Sequence, residues 1–113
     1  MHEMSLCRSI LEIVLRNAKE HHHSKIKKIE LEVGVLAAID QSAMCFSFEV
    51  LARNTKAENA LLDFIHMDAQ ALCKSCHLKT KIKQYYDPCS YCGKFGLTII
   101  SGEILRVKSM EVE

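Results

Sequence analysis

Glycine and proline are scarce in this chain, with four glycines and one proline among 113 residues. That is too few for the dense turns of an all-β sandwich or barrel. No apolar run approaches the roughly 18 residues of a membrane-spanning helix. Basic charge is missing from the first residues, where an export signal carries it. Glu3 stands there instead, and Arg8 and Glu12 break the apolar stretch that follows, so no signal peptide is expected and the expected compartment is the cytoplasm. Neither sign of charge is in large excess. With 49% hydrophobic and 26% charged residues and a net charge of +1, disorder, collagen and coiled coil are excluded. The length suits one domain, or one domain with a small appendage.

The near-zero net charge hides a division. Residues 1–70 carry eight Lys or Arg against ten Asp or Glu, whereas residues 71–99 carry five lysines against Asp87 alone. Four of the six cysteines also fall in 71–99. The expected domains are therefore 1–70 with 100–113, and an inserted unit at 71–99. Six cysteines without an export signal point to metal or free thiols rather than disulfides.

From Ser5 to about His22, Leu6, Ile10 and Ile13 recur at helical spacing beside Cys7, Leu11, Val14 and Ala18, which predicts an amphipathic helix with Ser5 as its N-cap. Ile29, Leu31, Val33 and Val35 then alternate with Glu30, Glu32 and Gly34, the period of a half-buried strand. Asp40 precedes a second helix over 41–53, with Ala43, Phe46 and Val50 on one row and Cys45, Phe48, Leu51 and Ala52 beside it. Residues 60–67 read as a second strand and 99–112 as a returning one. Residues 71–99 show no sustained period. The fold class is α/β (α+β), a small three-stranded sheet with two helices, plus an inserted zinc ribbon.

Cys73-Lys74-Ser75-Cys76 and Cys89-Ser90-Tyr91-Cys92 are two C-x-x-C turns separated by twelve residues. Four thiolates brought together this way suit tetrahedral Zn(II) in a closed structural site. Pro88 and Gly93 flank the second pair as tight turns require. The segment holds few large apolar groups, while ordering it costs about 1–2 kcal/mol per residue in backbone entropy. Structural zinc contributes roughly 10–16 kcal/mol of apparent binding energy, so metal is expected to organise 71–99. Three rival uses fit less well. A redox dithiol needs one pair, and two disulfides need an oxidising compartment. Cys73 to His77 matches the c-type haem pattern, but that leaves the second pair unexplained.

His2 forms the second constellation. With Met1 retained, its imidazole and backbone nitrogen close one chelate ring, and the amide of Glu3 closes another. Ni(II) and Cu(II) accept such square-planar nitrogen sets. The run His21, His22 and His23 reads as solvated residues at a helix C-terminus. His66 reads as partly buried in a strand, and His77 as a neighbour of the zinc site or a solvated side chain. Cys7 and Cys45 read as small buried hydrophobes on helical faces.

Several motifs in fixed order resemble the HypA/HybF family: Met1-His2-Glu3-Met4-Ser5-Leu6, Glu32-Val33-Gly34-Val35 leading to Ile39-Asp40, Phe46-Ser47-Phe48-Glu49, the paired knuckles, and the tail from Gly102 to Glu113. The resemblance spans the whole chain. It implies a nickel metallochaperone of [NiFe]-hydrogenase maturation, and in some organisms of urease maturation. It implies Ni(II) held by the imidazole and amide of His2, the amide of Glu3 and the carboxylate of Asp40, with Zn(II) on Cys73, Cys76, Cys89 and Cys92. The implied partners are a HypB-type maturation GTPase, a hydrogenase large-subunit precursor and a urease accessory protein, with the chain itself a monomer or weak homodimer. Asp40 also stands where a helix N-cap belongs. Some family members place a histidine near the second cysteine pair; Lys94 to Thr98 contain none, which leaves His77 as the nearby candidate.

An enzyme is not expected, since there is no glycine-rich phosphate loop and no nucleophile–base pair. The alternative is a zinc-ribbon module that binds nucleic acid or protein through Lys74, Lys79, Lys81 and Lys83 with Tyr85 and Tyr86. Four thiolates outweigh the charge of one zinc and lower the positive balance of that segment. No nucleic-acid or membrane partner is therefore expected.

Overall fold

The computed structural model describes residues 3–113, so Met1 and His2 lie outside the described residues. The element order is α1 (Glu3–Glu20), β1 (Ile26–Gly34), α2 (Gln41–Ala52), β2 (Leu61–Met67), β3 (Ala69–Leu72), β4 (Lys79–Ile82), β5 (Thr98–Ser101) and β6 (Leu105–Val112). One three-stranded sheet has the order β2-β1-β6, and a second has the order β4-β3-β5. Two helices with small sheets is the α/β class expected from the periodicities. Among the described residues, no helix is long and apolar enough to cross a membrane.

The chain packs as two units. The first takes the described residues up to Leu31, Ile39–Phe64 and Val107–Glu113; the second takes Glu32–Ala38 and Ile65–Arg106. In the first unit, Cys7, Ile10, Leu11, Val14 and Ala18 bury one stripe of α1, and Met44, Phe48 and Ala52 do so for α2. Fully burying a side chain such as Phe48 is worth about 1.5–3 kcal/mol. The Cys7 thiol donates to the Met44 carbonyl at 3.3 Å, which ties the two helices near their first turns.

Three local readings need correction. Ser5 does not cap α1, because the helix already runs from Glu3; the Ser5 carbonyl accepts from the Ser9 hydroxyl one turn on. α1 stops at Glu20 rather than His22 because His22 adopts φ +58°. The His22 amide then donates to the Lys19 carbonyl and the His23 amide to the Ala18 carbonyl, a closure that glycine usually makes. In α2 the apolar row does not decide burial. Phe46 is 67% exposed and Val50 is exposed, while Ser47 is buried.

The second unit holds the sheet that the sequence period did not reveal. β3 pairs antiparallel with β4 through Ala69↔Ile82 and Ala71↔Thr80, and with β5 through Ala71↔Ile99 and Leu72↔Thr98. These strands are four residues long, too short to display alternation. The returning strand also divides, since Gly102 at φ +102° separates β5 from β6. A Cβ on Gly34 would stand 2.2 Å from the Gly102 oxygen, and one on Gly102 would stand 2.4 Å from the Ala69 Cβ. Glycine at both places lets three backbone segments approach closely.

Candidate metal centre

β4 rises out of the first C-x-x-C turn. Its burial alternates, with Thr80 and Ile82 inward and Lys79 and Lys81 outward. The two turns close in the same way. In the first, the Cys73 amide donates to the Leu78 carbonyl (3.1 Å) and the His77 amide to the Cys73 carbonyl (2.9 Å). In the second, the Cys89 amide donates to the Lys94 carbonyl (2.9 Å) and the Gly93 amide to the Cys89 carbonyl (2.8 Å). Each turn thereby aims its two thiols at one point.

The sulfurs meet. Cys73 and Cys92 Sγ lie 3.6 Å apart, Cys76 and Cys89 Sγ lie 3.7 Å apart, and all four ligand atoms fall within 4.8 Å of one another. A tetrahedron with Zn–S bonds of about 2.3 Å has sulfur edges of about 3.8 Å, so the donor set fits zinc. Cys73 and Cys89 are buried, Cys76 is half-buried and Cys92 is exposed. The Cys76 backbone amide favours the Cys73 thiolate; it outweighs burial and holds that thiol down at about 6. The Cys92 amide likewise lowers Cys89. At Cys76 the Leu78 amide favours the thiolate, but burial and three neighbouring sulfurs prevail and push it up to about 11.

A feature not read from the sequence supports the second turn. Thr80 is buried, and its hydroxyl is hydrogen-bonded to the Ser90 hydroxyl and accepts from the Ser90 amide. Ser90 lies between two cysteines, so β4 braces the opposite knuckle. The only signal was a threonine two residues before an isoleucine in a lysine-rich stretch. His77 is exposed and sits in the left-handed region at φ +61°. Asp87 accepts from the Lys83 and Gln84 amides and turns the chain after β4.

The remaining candidates lie in the first unit or on the surface. Glu3 begins α1 as described, and His2 lies outside the described residues. Asp40 is the N-cap of α2, its Oδ1 accepting from the Ala43 amide at 3.1 Å. Glu3 and Asp40 each stand about one helical turn before the Cys7–Met44 contact that joins the helices. Cys7 is buried, and burial, followed by the nearby Cys45 and Glu3, raises its thiol to about 11. Cys45 is exposed, against the expectation that both were buried. His66 is exposed rather than partly buried, in the last two residues of β2. The lysines considered for nucleic acid are exposed, and Lys81 pairs with Asp68 at 3.3 Å.

A family model described as hydrogenase/urease nickel incorporation, metallochaperone, hypA, matches residues 1–112. The hydrogenase maturation factor HypA of Legionella pneumophila (strain Lens) is 46% identical over 113 residues, covering 100% of both chains. That of Psychromonas ingrahamii is 44% identical over 113 residues, covering 100% of this chain and 99% of its own. The solution structure of the Ni metallochaperone HypA from Helicobacter pylori matches with a TM-score of 0.72 at 26% identity, covering 99% of this chain and 97% of that one.

Proposed function

The chain belongs to the HypA family of hydrogenase and urease nickel-incorporation metallochaperones, and from that premise we propose that it binds Ni(II) at its N-terminus and delivers it to a hydrogenase large-subunit precursor. It is a maturation factor rather than an enzyme. The observation that carries the reading is the family match across the whole chain, from residue 1 to residue 112.

In this reading Ni(II) is the cargo. The imidazole and amide of His2 and the amide of Glu3 supply nitrogen, and Asp40 supplies a carboxylate oxygen. Asp40 can serve twice, since Oδ1 caps α2 and a carboxylate has lone pairs to spare. Electrostatics favour the place. Two deprotonated amides and a carboxylate outweigh the dication, leaving a net anion at the start of α1 and α2, where helix dipoles stabilise negative charge. An open planar site also lets an acceptor compete for the ion.

Cys73, Cys76, Cys89 and Cys92 would hold the resident zinc, which supplies no chemistry beyond fixing the fold of residues 71–99. This chain acts with a HypB-type GTPase in the cytoplasm as a monomer or weak homodimer, and a urease accessory protein is a second recipient. The test is metal analysis of untagged protein together with complementation. Retention of one zinc per chain, uptake of one Ni(II), and restoration of hydrogenase activity to a strain lacking its own family member support the reading. Restoration by the His2→Ala chain would refute it.

A further inference from the structure

The first sheet ends beside α1. β6 is the outer strand of the order β2-β1-β6. It is held to β1 by the Ser109 hydroxyl donating to Glu30 at 2.7 Å, and just past the strand ends the Glu113 amide donates to the Lys25 carbonyl at 2.9 Å. Its outer side has no strand partner among the described residues. In an antiparallel ladder, alternate residues turn N–H and C=O to that side, and such an edge is a template for another strand.

Between this edge and α1 lies an open cavity of about 380 Å³, a volume that holds the side chains of a short peptide. Ile13, Val107, Met110 and Val112 form its apolar wall. Ile13 belongs to the apolar stripe of α1, yet it is 50% exposed. Lys108 is the charged residue that lines the cavity, and no Asp or Glu is among the lining residues.

We propose that the groove between α1 and β6 takes an extended segment of a partner protein. The segment adds as a fourth strand to β6, seats an apolar side chain against Ile13 and Val107, and sets a carboxylate at Lys108. Backbone pairing gives affinity in this mode, while alternate side-chain pockets and charge give selectivity. A second copy of the chain is disfavoured, because two β6 strands paired about their middle bring the two Lys108 side chains together. The surface uses neither metal site, so it goes beyond nickel delivery and stands or falls separately.

The test uses the zinc-loaded full chain and capped fluorescent hexapeptides in which valine, leucine or isoleucine alternates with glutamate, at low salt. Binding should shift the amides of 107–112 and 13–17, and slow hydrogen exchange along β6. Lys108→Glu, at an exposed position, should weaken binding by about tenfold or more, and peptides with lysine in place of glutamate should bind weaker by a similar factor. Ile13→Ser should also weaken it without unfolding the chain. Failure of every glutamate peptide to bind, equal binding of the lysine peptides, or shifts confined to other surfaces would overturn the proposal. So would protection of β6 by dimerisation alone, which would assign the groove to a second copy.

Discussion

His77 and Gly93 occupy the same place in the two cysteine turns. Each donates its amide to the carbonyl of the first cysteine, at 2.9 and 2.8 Å, and each has positive φ, +61° and +76°. Glycine takes that conformation freely and histidine does not. His77→Gly should therefore keep the zinc site and raise the stability of the second unit by up to about 1 kcal/mol, whereas Gly93→Ala should lower it by a similar amount. Chelator competition on each variant reads both effects. An unchanged Gly93→Ala would show that the turn tolerates a side chain without strain.

Zinc removal should act unequally on the chain. The apolar cluster of the second unit is small (Leu36, Ala69, Ala71 and Ile82), so Cys73→Ala or chelation should abolish hydrogen-exchange protection in 71–99 while α1 and α2 keep theirs. Thr80→Val is the milder version. It removes the hydroxyl that accepts from the Ser90 amide, costs about 0.5–1.5 kcal/mol, and should speed zinc release to a chelator. Protection in 71–99 that survives metal loss would remove zinc as the organiser.

The two cysteines outside the zinc centre should behave oppositely. In zinc-loaded native protein, iodoacetamide should modify Cys45 readily and Cys7 only after unfolding. The pH sign follows from burial. The folded Cys7 thiol titrates at about 11 against an ordinary 9.0, so its stabilising contribution is intact below pH 9 and is lost as pH rises from 9 toward 11. Denaturant titrations across that window should show falling stability in the parent and a flatter profile in Cys7→Val. Equal profiles would contradict the assignment.

Long periodic segments were legible in the sequence, and short ones were not. α1 and β1 announce themselves through more than two helical turns and a clean alternation. β3, β4 and β5 are too short to show a period, and their pairing rests on contacts distant in sequence. The cysteine cluster was legible because spacing alone forces two knuckles. Cys45 was misread because apolar spacing on a short helix does not say which row faces the core; Met44 and Phe48 do, and Phe46 does not. The groove beside β6 left no local signal, since an edge is a property of strand order. Asp40 carries two readings in one residue. Its capping role follows from position, whereas its nickel role rests on the family pattern.

The nickel site is tested most directly by the spin state of Ni(II) added to untagged protein. A square-planar field from one imidazole, two amide nitrogens and a carboxylate pairs the d⁸ electrons. The account predicts one diamagnetic ion per chain, with protons released on binding and affinity lost toward acid as protons compete for the imidazole and amide nitrogens. His2→Ala should abolish this ion, and replacing His21, His22 and His23 together by alanine should leave it in place. The run lies past the end of α1 at Glu20, His22 adopts φ +58°, and the His21 and His23 rings stack with centroids 6.2 Å apart rather than turning their edges to one point. Narrow NMR lines for the nickel-loaded parent and for the triple variant, with loss of the bound ion in His2→Ala, are the predicted result. A diamagnetic nickel retained by His2→Ala, or a paramagnetic ion that broadens the parent and vanishes with the histidine run, would contradict it.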